Sequence, residues 1–116
     1  MLKAHIINLW DYLSHVSQGL AYEAVKKARK GLIRVRILVD ERARRIADVR
    51  ITGDFFMYPE DALWRLEEEL RGTALDAAEV AYKVRRALKG VRLVGSTPED
   101  FVETVLAALR SAGVRI

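Results

Sequence analysis

Few side chains in this sequence are equipped for acid–base, nucleophilic or metal chemistry, and their spacing does not bring them together. His5 and His15 stand ten residues apart. On one helix they share a face but lie about 15 Å apart along its axis, too far to ligate one metal ion. Glu67, Glu68 and Glu69 are consecutive, so on a helix their carboxylates diverge instead of converging as an acid and a base. Ser14, Ser17 and Ser96 have no accompanying His and Asp pattern for nucleophilic catalysis. The chain has no cysteine, which excludes disulfides, thiol catalysis, thiolate zinc sites and iron–sulfur scaffolds. These residues predict no catalytic centre and no metal site.

Two short stretches are the stronger candidates. Gly53-Asp54-Phe55-Phe56-Met57-Tyr58-Pro59 joins a predicted strand to a predicted helix. Glycine permits close backbone approach, Asp54 is a short acceptor able to cap backbone N–H groups, and two consecutive phenylalanines cannot both point inward from an extended chain. Two readings stand: the loop caps the core, or at least one phenylalanine reaches a neighbouring surface. Lys26-Lys27-Ala28-Arg29-Lys30-Gly31 is a basic run before a strand, either a solvated turn or a place to neutralise phosphate or an acidic partner. It lacks the second glycine and the Ser or Thr of a P-loop.

The elements that must position these stretches follow from periodicity. Residues 5–17 place Ile6, Leu9, Trp10, Leu13 and Val16 on one amphipathic helix face. Residues 21–30 favour helix by composition yet lead directly into a strand, and both conformations stay open. Ile33, Val35, Ile37 and Val39 alternate with Arg34, Arg36 and Leu38, the period of a half-buried strand over 32–39. A polar connection over 40–45 returns the chain to Ile46, Val49 and Ile51, predicting an antiparallel hairpin, 32–39 with 46–52. Pro59 suits the first position of a helix running to Leu70, with Leu63, Trp64, Leu66 and Leu70 inward and Gly72 after its end. Asp76 caps a second helix through Val80, Val84 and Leu88, and Thr97-Pro98-Glu99-Asp100 opens a third carrying Phe101, Val102, Val105, Leu106 and Leu109 inward. Pro59 to Asp61 and Pro98 to Asp100 are two similar helix starts rather than a repeat. The order predicts an α+β fold, a small antiparallel β-sheet with helices packed on one face.

The 116 residues suit a single domain, with 1–20 as a helical N-terminal extension. The 51% hydrophobic and 31% charged composition is that of a globular chain and not a disordered one. No apolar run approaches the roughly 18 residues of a membrane span, and residues 1–20 lack the apolar core of a signal peptide, so the expected location is cytoplasmic. Arginine outnumbers lysine 14 to 6, and Asn8 and Gln18 are the only amides, compatible with a heat-adapted source. The net charge of +4 is uneven: residues 24–50 carry +7 and 51–80 carry −6. That pattern fits two halves that attract each other, or an anion-binding surface. Against nucleic acid, the hairpin lacks the aromatic side chains that stack single-stranded bases, and no recognition helix is evident.

Lys30-Gly31-Leu32-Ile33-Arg34-Val35, then Ile46-Ala47-Asp48-Val49-Arg50-Ile51-Thr52-Gly53-Asp54-Phe55-Phe56, then Pro59 and Leu66-Glu67-Glu68-Glu69-Leu70-Arg71-Gly72 resemble the C-terminal accessory domain of lipoate-protein ligase. The resemblance covers about residues 22–109. In many bacteria this domain follows the catalytic domain in one chain, whereas in several archaea it is a separate small subunit, which this chain resembles.

The resemblance implies a SufE/NifU-like scaffold, although without cysteine the sulfur and cluster chemistry of those relatives does not carry over. It implies an accessory, non-catalytic subunit that binds no cofactor by itself. The assembled ligase uses ATP, Mg and lipoate to make lipoyl-AMP, then passes the lipoyl group to lysines of 2-oxoacid dehydrogenase E2 or the glycine cleavage H protein. The site residues it implies are Lys30 and Gly31 beside the nucleotide or partner, and Gly53, Asp54, Phe55 and Phe56 at the contact with the catalytic subunit. A reading from another class is a scaffold module whose basic hairpin holds an acidic protein or RNA.

Overall fold

Residues 21–115 are described by a computed structural model; the predicted helix over 5–17, with His5 and His15, lies outside the described residues. Residues 21–30 resolve as a strand: β1 (Ala21–Ala28) pairs antiparallel with β2 (Gly31–Asp40) through the two-residue turn Arg29-Lys30. β2 pairs in turn with β3 (Arg45–Gly53), giving a three-stranded sheet in the order β1-β2-β3. The predicted hairpin is therefore correct to within a residue at each strand end.

Ile33, Val35 and Ile37 are buried on one face of β2 while Arg34 on the other is exposed, as alternation requires. The pairing shifts between Leu38 and Val39, with Ala47 as the extra residue on β3. This bulge puts both Ile46 and Val49 in the core although they are three residues apart. Leu38, on the opposite face of β2 from Ile37 and Val39, is also buried although it is not part of the core cluster.

A second, two-stranded sheet, absent from the sequence reading, joins β4 (Phe56–Tyr58) to β5 (Arg92–Val94). Among the described residues, α1 (Ala62–Leu70) packs on the inner face of the main sheet against β3 and α3 (Pro98–Ser111) against β1 and β2, while α2 (Ala77–Leu88) packs on both helices. Leu66, Leu70, Val80, Val84, Leu88, Phe101, Val105 and Leu109 fill the core between helices and sheet. None of the helices among the described residues is long and apolar enough to cross a membrane.

Two details of α1 differ from expectation. The helix begins at Ala62, after a turn in which the Ala62 N–H bonds to the Pro59 carbonyl oxygen at 3.0 Å, so Pro59 precedes the helix instead of opening it; the Tyr58-Pro59 bond is cis. The buried stripe is Ala62, Leu66 and Leu70, at spacings of four, which leaves Trp64 on the outside with 64% of its surface exposed. The other caps are as the residues predict. The Asp76 carboxylate accepts the Glu79 N–H at 3.2 Å, and Thr97 and Asp100 exchange side-chain to backbone bonds as a capping box.

Candidate functional site

Gly31, Gly53 and Asp54 meet where β2 begins and β3 ends. A β-carbon on Gly31 would lie 2.4 Å from the Asp54 carbonyl oxygen, and one on Gly53 would lie 2.1 Å from that of Leu32. Only glycine fits at either position, because backbone lies where a side chain would begin. The Asp54 N–H bonds to the Leu32 carbonyl oxygen at 2.9 Å, and the Lys30 N–H bonds to that of Gly95 at 3.1 Å. Gly95, with φ +84°, has the Lys30 side chain where its own Cβ would stand. Three chain segments, the β1–β2 turn, the β3–β4 junction and the β5–α3 loop, are thus locked backbone to backbone.

The sequence-derived candidates converge at this junction, but they divide by role. Gly31 and Gly53 act by being small. The Asp54 carboxylate is exposed and caps no backbone group among the described residues, unlike the capping acceptor considered above. Lys30 is exposed at the turn. Phe55 is half-buried and meets Phe101 edge to face, ring centroids 5.1 Å apart, a geometry that favours aromatic pairs. Of the two phenylalanines only Phe56 is displayed, 54% exposed.

Alternation along β4 explains the split. Met57 points into the core and is 7% exposed, while Phe56 and Tyr58 point out. Phe56 pairs with Val94 and Tyr58 with Arg92, so all four side chains occupy the outer face of one ribbon. Tyr58 and Val94 are exposed as well. The result is an aromatic and aliphatic patch that shares its face with Arg92 and has Lys30, against Gly95, at its edge. Tyr58 lay in the candidate stretch but was given no role there, and Arg92 and Val94 were not candidates at all; the alternation in Phe56-Met57-Tyr58 was a usable sign, but the pairing with Arg92-Leu93-Val94 was not readable.

Beside the ribbon a groove of about 450 Å³ opens between Pro59, Arg65, Glu69, Arg86 and Lys89. Arg86 there pairs with Glu69 and stacks over Tyr82, its guanidinium carbon 5.6 Å from the ring centroid. The hydrogen bond from Arg86 to Glu69, and the charge behind it, raise the arginine pKa further. The cation is thus already neutralised within the protein. Among the described residues no group of three or more His, Cys, Asp or Glu side chains is placed to hold a metal ion.

A small α+β domain that presents an aromatic face at the end of its sheet has the makeup of a docking module. The family model of the bacterial lipoate protein ligase C-terminus matches residues 17–105, and the chain belongs to this family. It is 40% identical over 91 residues to lipoate-protein ligase A subunit 2 of Thermoplasma acidophilum, covering 74% of this chain and 88% of that protein. Among solved structures it is similar to a chain from an archaeal lipoylation system of the same organism, described as a bi-partite lipoate protein ligase and its E2 lipoyl domain. The TM-score is 0.66 at 42% identity, over 73% of this chain and 93% of that one.

Proposed function

We propose that this chain is the accessory, non-catalytic subunit of a bipartite lipoate-protein ligase, and that it docks onto the catalytic subunit through the outer face of the β4–β5 ribbon. The observation that carries the reading is the exposed Phe56, Tyr58 and Val94 cluster in a member of this family. Aromatic anchors with a charged border are the usual composition of an interface hot spot. Lys30, exposed beside Gly95, brings positive charge to the same edge of the ribbon.

In the assembled enzyme the lipoate carboxylate attacks the α-phosphorus of ATP, pyrophosphate leaves, and lipoyl-AMP forms. A lysine amine of a lipoyl domain, on a 2-oxoacid dehydrogenase E2 or the glycine cleavage H protein, then displaces AMP to form an amide. ATP, Mg and lipoate are held by the catalytic subunit; this chain supports the first of the two steps. Reversing Lys30 to glutamate tests that assignment. Lys30→Glu is expected to slow lipoyl-AMP formation more than transfer from preformed lipoyl-AMP. Equal loss in both steps would remove the activation-specific role.

The scaffold reading, an acidic protein or RNA held by the basic hairpin, has less support. The sheet's outer face carries Lys27, Arg34 and Thr52 beside Val25 and Leu32, with no aromatic side chain for base stacking.

A further inference from the structure

The two edges of the main sheet are treated differently. The outer edge of β3 is closed at four points: the Ile46 N–H bonds to the Thr73 carbonyl oxygen at 2.8 Å, the Gly72 N–H to that of Ile46 at 2.8 Å, the Val49 N–H to Asp48 Oδ1 at 2.8 Å, and the Ile51 N–H to Glu67 Oε2 at 2.8 Å. Such covering is how sheets avoid edge-to-edge association. β1, at the opposite edge and eight residues long, pairs among the described residues only with β2. In a hairpin with a two-residue turn the closing pair, here Ala28 and Gly31, exchanges hydrogen bonds. The backbone groups of Glu23, Val25 and Lys27 therefore face outward. The Ser111 hydroxyl approaches the Glu23 carbonyl oxygen from that side at 3.5 Å, at the outer limit of a hydrogen bond.

We infer that the outer edge of β1 pairs with the same edge of a second copy of this chain, antiparallel about Val25, making one continuous six-stranded sheet. The sequence of β1 selects this register. Partners across an antiparallel pair share a face of the sheet, and Glu23, Val25 and Lys27 all lie on the face away from the helices. Centred on Val25, the pairing sets Val25 against its counterpart and Glu23 against Lys27 of the second copy, twice by symmetry. Val25 is 47% exposed, Lys27 makes no ion pair among the described residues, and Glu23 holds only a long, exposed one with Arg34 at 3.6 Å. A register centred on Ala24 places Glu23 opposite valine and Lys27 opposite alanine, with no charge complement. Lysines on an edge strand ordinarily oppose pairing; here Lys27 finds an opposite charge in one register only.

Sedimentation of the full chain tests this with two charge reversals. The wild type is expected at twice the chain mass at high micromolar concentration, more weakly so in high salt. Glu23→Lys alone and Lys27→Glu alone each set like charges opposite one another at both positions and should raise the dissociation constant roughly tenfold or more. The double variant Glu23→Lys/Lys27→Glu restores both pairs and should dimerise again. A one-to-one mixture of the two single variants should form a heterodimer, because every facing pair in it is attractive. Circular dichroism checks that each variant is folded. A wild type that stays monomeric, or single variants that dimerise as well as it does, would overturn the inference. So would a mixture of single variants that fails to associate. Activation of the catalytic subunit tests the proposed function independently.

Discussion

Glu67 Oε2 accepts the backbone N–H of Ile51 at 2.8 Å, so a carboxylate on helix α1 terminates the hydrogen-bonding edge of strand β3. The contact joins sheet to helix and half-buries Glu67, one of three consecutive acids whose spacing indicates only that their carboxylates diverge. Glu68 does remain outside, bound to Arg71 at 2.8 Å.

Burial pushes the Glu67 carboxyl pKa above its ordinary value, and the Ile51 N–H and the Arg50 charge only partly offset this. A carboxyl with a raised folded pKa contributes stability below its unfolded pKa and loses that contribution as pH rises through the folded value. Glu67→Gln keeps an acceptor for Ile51 without the charge. As pH rises from the ordinary glutamate range through the raised folded value, the variant is expected to gain on the wild type in urea unfolding midpoint. Parallel pH profiles for the two proteins would contradict the assignment.

Gly31→Ala inserts a methyl group against the Asp54 backbone. Overpacking of this kind is expected to cost roughly 1–3 kcal/mol, read from chemical denaturation. Because the same junction aims the ribbon, the variant should also bind the catalytic subunit less tightly. Stability equal to the wild type would show that the junction yields.

The two phenylalanines should separate cleanly. Phe55→Ala removes the edge-to-face contact with Phe101 and is expected to destabilise by about 2–3 kcal/mol, below the range for a fully buried ring. Phe56→Ala removes an exposed side chain and is expected to leave stability within about 0.5 kcal/mol. Thermal unfolding of both variants, side by side, checks the division.

The two Pro-Glu-Asp segments should differ in the same way. Thr97→Ala removes the hydroxyl that accepts the Asp100 N–H and is expected to cost about 1 kcal/mol, lowering Tm by about 4–8 °C. Asp61 makes no side-chain cap bond and holds only an exposed contact with Arg65 at 3.6 Å. Asp61→Ala is therefore expected to change Tm little.

The hairpin of β2 and β3 was legible because valine and isoleucine recur at a period that only an extended, half-buried strand satisfies. β1 was not, since its glutamate, alanine and lysines favour helix locally and pairing with β2 overrides that preference. β4 and β5 are three residues each, too short for a periodic signal, and their partnership depends on a junction between distant segments. Trp64 shows the opposite failure: a large apolar side chain was assigned to the buried stripe by its type, while the four-residue spacing of Ala62, Leu66 and Leu70 decides which face turns inward. For the same reason the stretch from Gly53 to Pro59 was recognisable as a candidate, yet Val94 and Arg92, which complete its surface, were not. Their shared surface exists only once the ribbon's register is known.

The outer face of the β4–β5 ribbon is the surface proposed to hold the catalytic subunit. The most direct test is a titration of that subunit with wild-type chain and with Phe56→Ala/Tyr58→Ala, following lipoyl-AMP formation. The double variant is expected to need at least about tenfold more protein for half-maximal activation, since two anchors at roughly 1–2 kcal/mol each are lost, while it stays folded. An unchanged half-maximal concentration would contradict the claim.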